Sequence, residues 1–323
     1  MSMVPATARR ASSVHVGDRF AIDLIAGLTA RPKRIAPKHF YDAAGSELFE
    51  QITRLPEYYP TRTELRILEE NAAGIAQWIP PDAALVEFGS GSSAKVRRLL
   101  QGGSSVSTYV PVDISAEFLN GQAVQLARDF PGLRVLPVAA DFTQPFRLPG
   151  GAEPGQRVGF FPGSTIGNFE PAEAEAFLKH AGAVLGPRSA LIIGVDLVKA
   201  TEILEAAYND AAGITAAFNR NVLARANREL GVDFDLGTFE HLAFYNATLC
   251  RIEMHLVSRI AQVVQVCGKS IPFIAGESIH TENSYKYTIE TFQALADRAG
   301  WTRAAVWTDP NRLFSVHALR YAS

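Results

Sequence analysis

The sequence predicts a doubly wound, Rossmann-like α/β sheet with a second, smaller α+β lobe, and three observations carry that prediction. Short apolar runs near residues 84–88, 107–112, 134–138, 157–162 and 190–195 alternate with helical patterns near 93–101, 115–129 and 171–185. Such alternation makes a parallel sheet with crossover helices. The first three runs each lead to an acid, Glu87, Asp113 and Asp141. After Asp196 the rhythm changes to helices followed by alternating strands, so the chain leaves the sheet before returning to it.

Taken in order, Met1 to Val16 is polar, with Arg9 and Arg10 and no continuous apolar stretch. Arg19 to Thr29 has helical spacing through Phe20, Leu24, Ile25 and Leu28, and the Pro/Lys-rich Arg31 to Lys38 breaks it. Phe40 to Leu55 reads as a helix interrupted near Gly45. Pro56 to Pro60 then reads as a fixed, extended loop. Thr63 to Trp78 is amphipathic, with Leu65, Leu68, Ala72, Ile75 and Ala76 on one side, and Pro80-Pro81 stops it. Beyond Asp196, Glu202 to Tyr208 and Ile214 to Leu230 are helical; in the second, Ile214, Phe218, Val222 and Ala226 fall four apart. Strands are expected near 240–246, 250–258 and 261–267, then a helix from Thr288 to Gly300 and closing strands at 303–308 and 313–320. The sheet core is thus expected over 63–197 and 289–323. Residues 1–62 and 198–288 are left to join as a substrate lobe, because neither alone could bury its apolar face. A cleft between lobes suits a small ligand.

Composition narrows the function. The 323 residues are 47% hydrophobic with a formal charge of −2, and mean hydropathy is +0.04 with a pI near 6.4. Nothing here pulls toward nucleic acid or a membrane surface. No stretch approaches the roughly 20 apolar residues of a membrane span. Cys250 and Cys267 make no CxxC pair, so neither a disulfide framework nor a zinc site is expected. The seven histidines show no metal-ligand spacing, and His39, His241 and His280 read as structural or surface groups. A monomer in a reducing cytoplasm, acting on a small zwitterion without a metal, fits this balance.

The chemistry concentrates at Glu87-Phe-Gly-Ser-Gly91. Gly89 and Gly91 permit a sharp turn that brings backbone N–H groups near a ligand, and the next helix begins with Lys95 close by. Asp113, ending the following strand, suits a ribose diol because an ionised carboxylate only accepts hydrogen bonds. Asp141 can accept from an adenine amine while Phe142 covers the ring. As a bare string, Gly89 to Ala94 also satisfies the dinucleotide fingerprint G-x-G-x-x-G/A, so a nicotinamide-dependent dehydrogenase has to be weighed. Glu87 tilts the balance: it would repel a pyrophosphate but could hold the amino group of a methionine moiety. The cofactor expected is S-adenosylmethionine. Taken singly, Glu87 could be an ordinary strand-end acid, Asp113 a helix N-cap and Lys95 a solvated lysine.

Further strings stand in order along the chain: Phe40-Tyr41-Asp42, Leu55-Pro-Glu-Tyr-Tyr-Pro-Thr-Arg62, Gly163-Ser-Thr-Ile-Gly-Asn168, Tyr208-Asn-Asp-Ala-Ala-Gly213, Phe218-Asn-Arg-Asn221, Arg251-Ile-Glu-Met254 and Thr281-Glu-Asn-Ser284. With Glu87 to Gly91, they make the chain resemble the histidine Nα-methyltransferases of ergothioneine biosynthesis from about residue 18 onward. That resemblance implies a class I methyltransferase-type sheet, S-adenosylmethionine as methyl donor and L-histidine as acceptor. It also implies site residues. Tyr58, Asn168 and Tyr208 would hold the α-carboxylate, while Glu282 and Ser284 would bond the imidazole nitrogens. Gly163, Thr215 and Met254 would line the same pocket, and Tyr41 would lie near the amine as a candidate proton relay. Gly89, Lys95, Asp113, Asp141 and Phe142 match on the cofactor side. The implied carboxylate clamp is built of neutral donors rather than arginine, which keeps a full positive charge away from the sulfonium. Asn283 departs from the pattern, standing where a small apolar residue is expected. On pattern alone Tyr58 and Tyr208 could be core tyrosines, Asn168 a turn residue, and Met254 packing; Glu282 and Ser284 sit in a polar stretch whose default is exposure. Another aromatic amino acid, tryptophan above all, is the rival substrate, and a non-catalytic cofactor-binding protein the rival from another class.

Overall fold

The structure, a computed structural model, describes residues 16–91, 93–103, 105–150 and 156–322. The polar stretch before Val16 lies outside the described residues. Helix α1 (Val16–Thr29) leads to β1 (Lys33–Arg34), α2 (Ala43–Ile52), α3 (Tyr59–Glu70) and α4 (Ala72–Ala76). The alternating region follows: β2 (Ala83–Phe88), α5 (Ala94–Gln101), β3 (Val106–Asp113), α6 (Ala116–Asp129), β4 (Arg134–Val135), β5 (Val138–Ala139), β6 (Arg157–Phe161), α7 (Pro171–Leu185) and β7 (Ala190–Asp196). Then come α8 (Thr201–Ala206), α9 (Ile214–Leu230), β8 (Phe239–Asn246), β9 (Arg251–Ser258), β10 (Gln262–Val266), β11 (Lys269–Phe273) and β12 (Ser278–Tyr285). The chain closes with α10 (Ile289–Arg298), β13 (Trp301–Thr308) and β14 (Phe314–Tyr321).

Eight strands form one sheet in the order β13-β14-β7-β6-β2-β3-β4, with β5 also on β3. Pairing is parallel from β7 through β4, whereas β14 lies antiparallel to β7 and to β13. Both faces are covered, which is why the strands read as continuous apolar runs. On one face Val86, Phe88, Val110, Phe161, Leu191 and Ile193 meet Phe177 and Leu178 of α7 and Phe292 and Leu295 of α10. On the other, Leu85, Tyr109, Val158, Phe160 and Ile192 meet Ile67 and Leu68 of α3, Ile75 of α4 and Val96 and Leu99 of α5. The period of two along β2 and β7 thus sends alternate side chains into different cores. Strand order reverses at β2, between β3 and β6, and the crevice at that point is where open α/β sheets bind ligands.

A second sheet, β1-β12-β9-β8, is built from residues on either side of the alternating region. Its core joins Phe20, Leu24, Phe40 and Ile52 to Leu204, Phe218, Val222, Ile252 and Leu256. Helix α9 is framed by Gly213 and Gly231, both at positive φ (72° and 63°), and the Asp210 carboxylate caps it by accepting from Ile214 N and Thr215 N at 2.8 Å each.

Several expected elements need correction. The helix expected over Thr63 to Trp78 begins at Tyr59 and breaks at Asn71, whose Nδ2 bonds back to Ile67 O at 2.9 Å. Pro60, read as part of an extended loop, instead lies in the first turn of α3, where its missing N–H costs nothing. The helix expected over Phe40 to Leu55 is α2 alone, after a 3-10 turn at Pro37–Phe40; Gly45, expected to interrupt it, lies inside α2, where a Cβ would collide with Phe40 O. The strand expected at 134–138 is two two-residue pieces. The polar stretch holding Glu282 and Ser284 is strand β12, with Ser284 only 4% exposed.

Candidate active site

At the end of β2 the chain turns at Gly89, with φ of 71°. Gly89 N and Ser90 N both donate to Val112 O, at 2.9 and 3.1 Å, and Gly91 N donates to Gly89 O at 3.0 Å. These N–H groups, expected to face a ligand, are taken up within the protein: the first two fasten the turn to β3 and the third closes the turn on itself. A Cβ on Gly89 would lie 3.1 Å from the Phe142 ring, so the glycine admits that ring against the turn; around Gly91 a Cβ would meet nothing within 4 Å. Glu87 lies deeper, 1% exposed, accepting from the Tyr109 hydroxyl, which also contacts Ser90 Oγ at 3.0 Å. Burial pushes the Glu87 carboxyl up to about 8, against the pull of that hydrogen bond and of Lys95. Asp113 accepts from Ser115 N at 2.9 Å in a turn ahead of α6, whose N-cap is Ser115, so Asp113 is not the helix cap it could have been read as; burial raises its pKa. Asp141 accepts from Thr143 N at 3.0 Å. Lys95 pairs at 2.7 Å with Glu64 of α3, whose carboxylate also accepts from Gly163 N at 2.9 and 3.0 Å. This buried cluster ties the glycine turn to the next part of the site.

That part is a small cavity, about 50 Å³, open on one side. It is lined by Tyr41, Phe49, Tyr58, Pro60, Gly163, Ser164, Thr165, Asn168, Asp196, Tyr208, Glu282 and Ser284. Thr215, Phe218 and Met254 line an adjoining recess that shares Tyr58, Tyr208 and Glu282. All eight residues expected around the acceptor substrate therefore stand together with Tyr41. Local structure explains how. Gly163 (φ 82°) and Ser164 (φ 55°) start the 3-10 turn Thr165–Asn168, and a Cβ on Gly167 would strike Tyr285 O, so this turn lies directly on β12. A bulge between His280 and Glu282 shifts the β12 register against β9, where Glu282 stands opposite Met254. Thr281 turns inward, to Asn219 Oδ1 at 2.7 Å and Met254 O at 3.0 Å, and Glu282 still faces the cavity. Asn283 faces away, donating to Glu170 Oε1 at 2.9 Å.

Burial raises Glu282 to about 7, with Lys286 pulling it down. Tyr41, Tyr58 and Tyr208 are pushed well above the ordinary phenol range, first by burial and then by nearby acidic groups and one another. They keep their protons, so Tyr41 is a hydroxyl donor and not a resident phenolate base.

Behind the cavity is a network the sequence reading did not assign. Asp196 ends β7, 1% exposed, and takes Lys199 at 2.6 Å, Lys286 at 2.8 Å and the Tyr59 hydroxyl at 2.8 and 2.9 Å. Burial pushes the Asp196 carboxyl up, but the two lysines outweigh it and its pKa is lowered; burial brings Lys199 down to about 8. Lys286 reaches Ser284 Oγ at 2.7 Å and the Tyr208 hydroxyl at 3.3 Å. An ammonium therefore stands behind one hydroxyl of the expected clamp, Tyr208, and behind Ser284 of the expected ring site.

A family model described as histidine-specific methyltransferase, SAM-dependent, matches residues 20–321. The chain belongs to that family. Relatives include the histidine N-alpha-methyltransferase of Mycolicibacterium smegmatis, 46% identical over 89% of this chain and 90% of its own. Ergothioneine biosynthesis protein 1 of Neurospora crassa is 30% identical over 89% of this chain and 33% of its own length. The 4-dimethylallyltryptophan N-methyltransferase of Claviceps purpurea is 26% identical over 96% of this chain and 97% of its own.

The residues present fit the cofactor of this histidine-specific methyltransferase family. Open space above Gly91, an aromatic ring against Gly89 and a buried acid at Glu87 suit a nucleoside carrying an ammonium and a sulfonium. Histidines elsewhere have structural partners: His39 pairs with Asp23 at 3.0 Å, and His241 bridges Asn219 and Tyr208 O at 2.9 Å each. His280 stacks on His255 at 4.7 Å; with Glu253 they bring ligand-type atoms within 4.8 Å, a cluster that sequence spacing does not reveal because it spans β9 and β12. Glu253 is engaged there by Arg251 and Asn246, at 2.9 Å each.

Proposed function

We propose that the protein transfers methyl groups from S-adenosylmethionine to the α-amine of L-histidine, through to the trimethylated betaine, as the opening step of ergothioneine biosynthesis. The observation that carries this reading is the pairing of Glu282 with Ser284 in one cavity, beside the glycine turn of a methyltransferase sheet. An imidazole has two polar atoms at opposed positions, and a carboxylate and a hydroxyl can satisfy one each. An indole offers Ser284 no acceptor, which would leave the serine hydrogen unpaired, and an unpaired buried polar group is what gives such sites their selectivity.

The donor, when bound, supplies an electrophilic methyl on a sulfonium. Glu87, Gly89, Gly91, Asp113, Asp141 and Phe142 are the groups we assign to hold it, with Lys95 acting through its pair with Glu64. Tyr58 and Asn168 would hold the substrate carboxylate; Tyr208, whose hydroxyl donates to Ser284 at 2.8 Å, would connect that end to the ring. Gly163, Thr215 and Met254 shape the wall. Positioning supplies most of the acceleration, because an amine attacking a sulfonium needs no covalent enzyme intermediate. The amine must reach the methyl unprotonated, and Tyr41 would relay its proton only by passing its own onward.

Residues 63–197 with 289–323 serve in this reading as the cofactor core, and 1–62 with 198–288 as the substrate lobe. A cytoplasmic monomer completes it. Among the described residues no helix is long and apolar enough to cross a membrane, and Cys250 and Cys267 are free.

Incubation with labelled S-adenosylmethionine and a panel of amino acids, followed by mass spectrometry, tests the proposal. Histidine should gain up to three methyl groups and tryptophan none; an unlabelled histidine pool would refute it. Tyr58→Phe should raise the histidine KM several-fold, as loss of a hydrogen bond to a charged group does, while calorimetry shows S-adenosylmethionine affinity unchanged.

A further inference from the structure

We infer that Lys286 is a positioning residue that fixes the direction of the hydrogen bonds around Ser284, and so admits one neutral tautomer of the histidine ring. The inference rests on the function proposed above.

Lys286 is fully buried, with its side chain 0% exposed. An ammonium has three donors and no acceptor. Those donors go to Asp196 Oδ2 at 2.8 Å, Ser284 Oγ at 2.7 Å and the Tyr208 hydroxyl at 3.3 Å. Ser284 therefore accepts from Lys286. It also accepts from Tyr208, whose hydroxyl donates to it at 2.8 Å. A hydroxyl offers two acceptor pairs and one donor. Both pairs on Ser284 are taken, so its own hydrogen is left to point at whatever stands in the cavity.

The ring nitrogen facing Ser284 must then be the unprotonated one. Glu282, when ionised, accepts only, so the nitrogen facing it must carry the hydrogen. One neutral tautomer meets both demands. The other tautomer sets acceptor against acceptor at Glu282 and donor against donor at Ser284. An imidazolium sets donor against donor at Ser284 and brings a second positive charge toward Lys286. Asp196 already has Lys199 at 2.6 Å and the Tyr59 hydroxyl, and the charge of Lys286 also draws the Glu282 carboxyl down, but a charge alone requires no contact with a neutral hydroxyl. What the second lysine adds is its contact with Ser284 and Tyr208.

Nitrogen NMR of ring-15N-labelled histidine bound to the protein with S-adenosylhomocysteine, at a pH above both the free ring near 6.5 and Glu282 at about 7, reads this directly. Two separate resonances are expected, one of the N–H type and one of the bare-nitrogen type, in place of the averaged signals of free histidine. Ionised Glu282 would hold the same tautomer unaided, so the part played by Lys286 is read in Glu282→Gln, whose amide can donate or accept. There the two resonances should stay apart, and adding Lys286→Met, which returns an acceptor pair to Ser284, should move them toward each other. The inference is overturned by averaged or doubly protonated signals in the parent or in Glu282→Gln, or by an unchanged single tautomer in a Glu282→Gln/Lys286→Met protein that still binds S-adenosylhomocysteine. If labelled histidine does not bind the parent at all, the substrate assignment fails first, which is a distinct result. Should the double variant not fold, Glu282→Gln alone decides, because averaged signals there overturn the inference.

Discussion

Asp196→Ala is expected to lower the unfolding free energy by about 3–5 kcal/mol, the usual cost of removing one partner from a buried ion pair. The carboxylate is 1% exposed and is shared by Lys199 and Lys286, whose side chains are 6% and 0% exposed. Without it two ammonium groups remain in the interior with no counter-ion between them. Lys199, which burial already brings down to about 8, can escape by losing its proton. Because the folded-state pKa of Asp196 lies below the ordinary 3.8, its contribution is complete above that value and is lost only as pH falls through the lowered one. The gap between parent and variant should therefore persist from neutral pH down to about pH 5 and narrow under strong acid. Urea titration measures it. Asp196→Asn keeps the shape and should recover only part of the loss; a midpoint for Asp196→Ala equal to that of the parent would remove the buried charge network from the account of this fold.

The alternating strands and helices were legible because their cause is local: a parallel strand buried on both faces must be mainly apolar, and β2, β6 and β7 are, with Glu87, Arg157 and Asp196 at or near their ends. Strand β12 was not legible as a strand. Its Thr-Glu-Asn-Ser run looks solvated, and it is a strand because it pairs with β9 and accepts β1 on its other edge. Tertiary context overrode composition there. Likewise the α3–α4 break at Asn71 lies within one unbroken apolar stripe, so periodicity could not show it. Among site residues, Asp196 carries a signal of the same kind as Asp113: it closes the fifth apolar run and ends a core strand. Lys286 follows Ser284 by two residues, which puts both on one face of the chain, a relation visible only once β12 is known to be extended. Glu64 had no such signal. It reads as an ordinary polar residue of an amphipathic helix, yet it is 0% exposed because Lys95, Gly163 N and the space above Gly194 converge on it from three separate segments.

Glu282→Ala is expected to weaken histidine binding roughly ten- to a hundredfold, since losing a hydrogen bond to a charged group costs about 1.5–3 kcal/mol. S-adenosylmethionine affinity should stay near that of the parent, because Glu282 belongs to the cavity wall on β12 and not to the glycine turn after β2. The pH dependence follows from burial, which raises the Glu282 carboxyl to about 7. Below that pH it holds a proton and presents a donor where the ring N–H needs an acceptor. Histidine affinity should therefore climb as pH rises through 7, more steeply than titration of the free ring near 6.5 alone would produce. The sign for the ligand-free protein is opposite: a carboxyl with a raised folded-state pKa contributes stability below its unfolded value near 4.5 and loses it as pH rises through 7. Histidine, by pairing with the ionised form, should restore that loss, so its thermal stabilisation of the protein ought to be larger at pH 8 than at pH 6. Glu282→Gln keeps an acceptor without the titration and should flatten the extra slope, leaving that of the ring. Calorimetry across this range on the three proteins gives the answer, and histidine affinity in Glu282→Ala within twofold of the parent would place the ring elsewhere in the cavity.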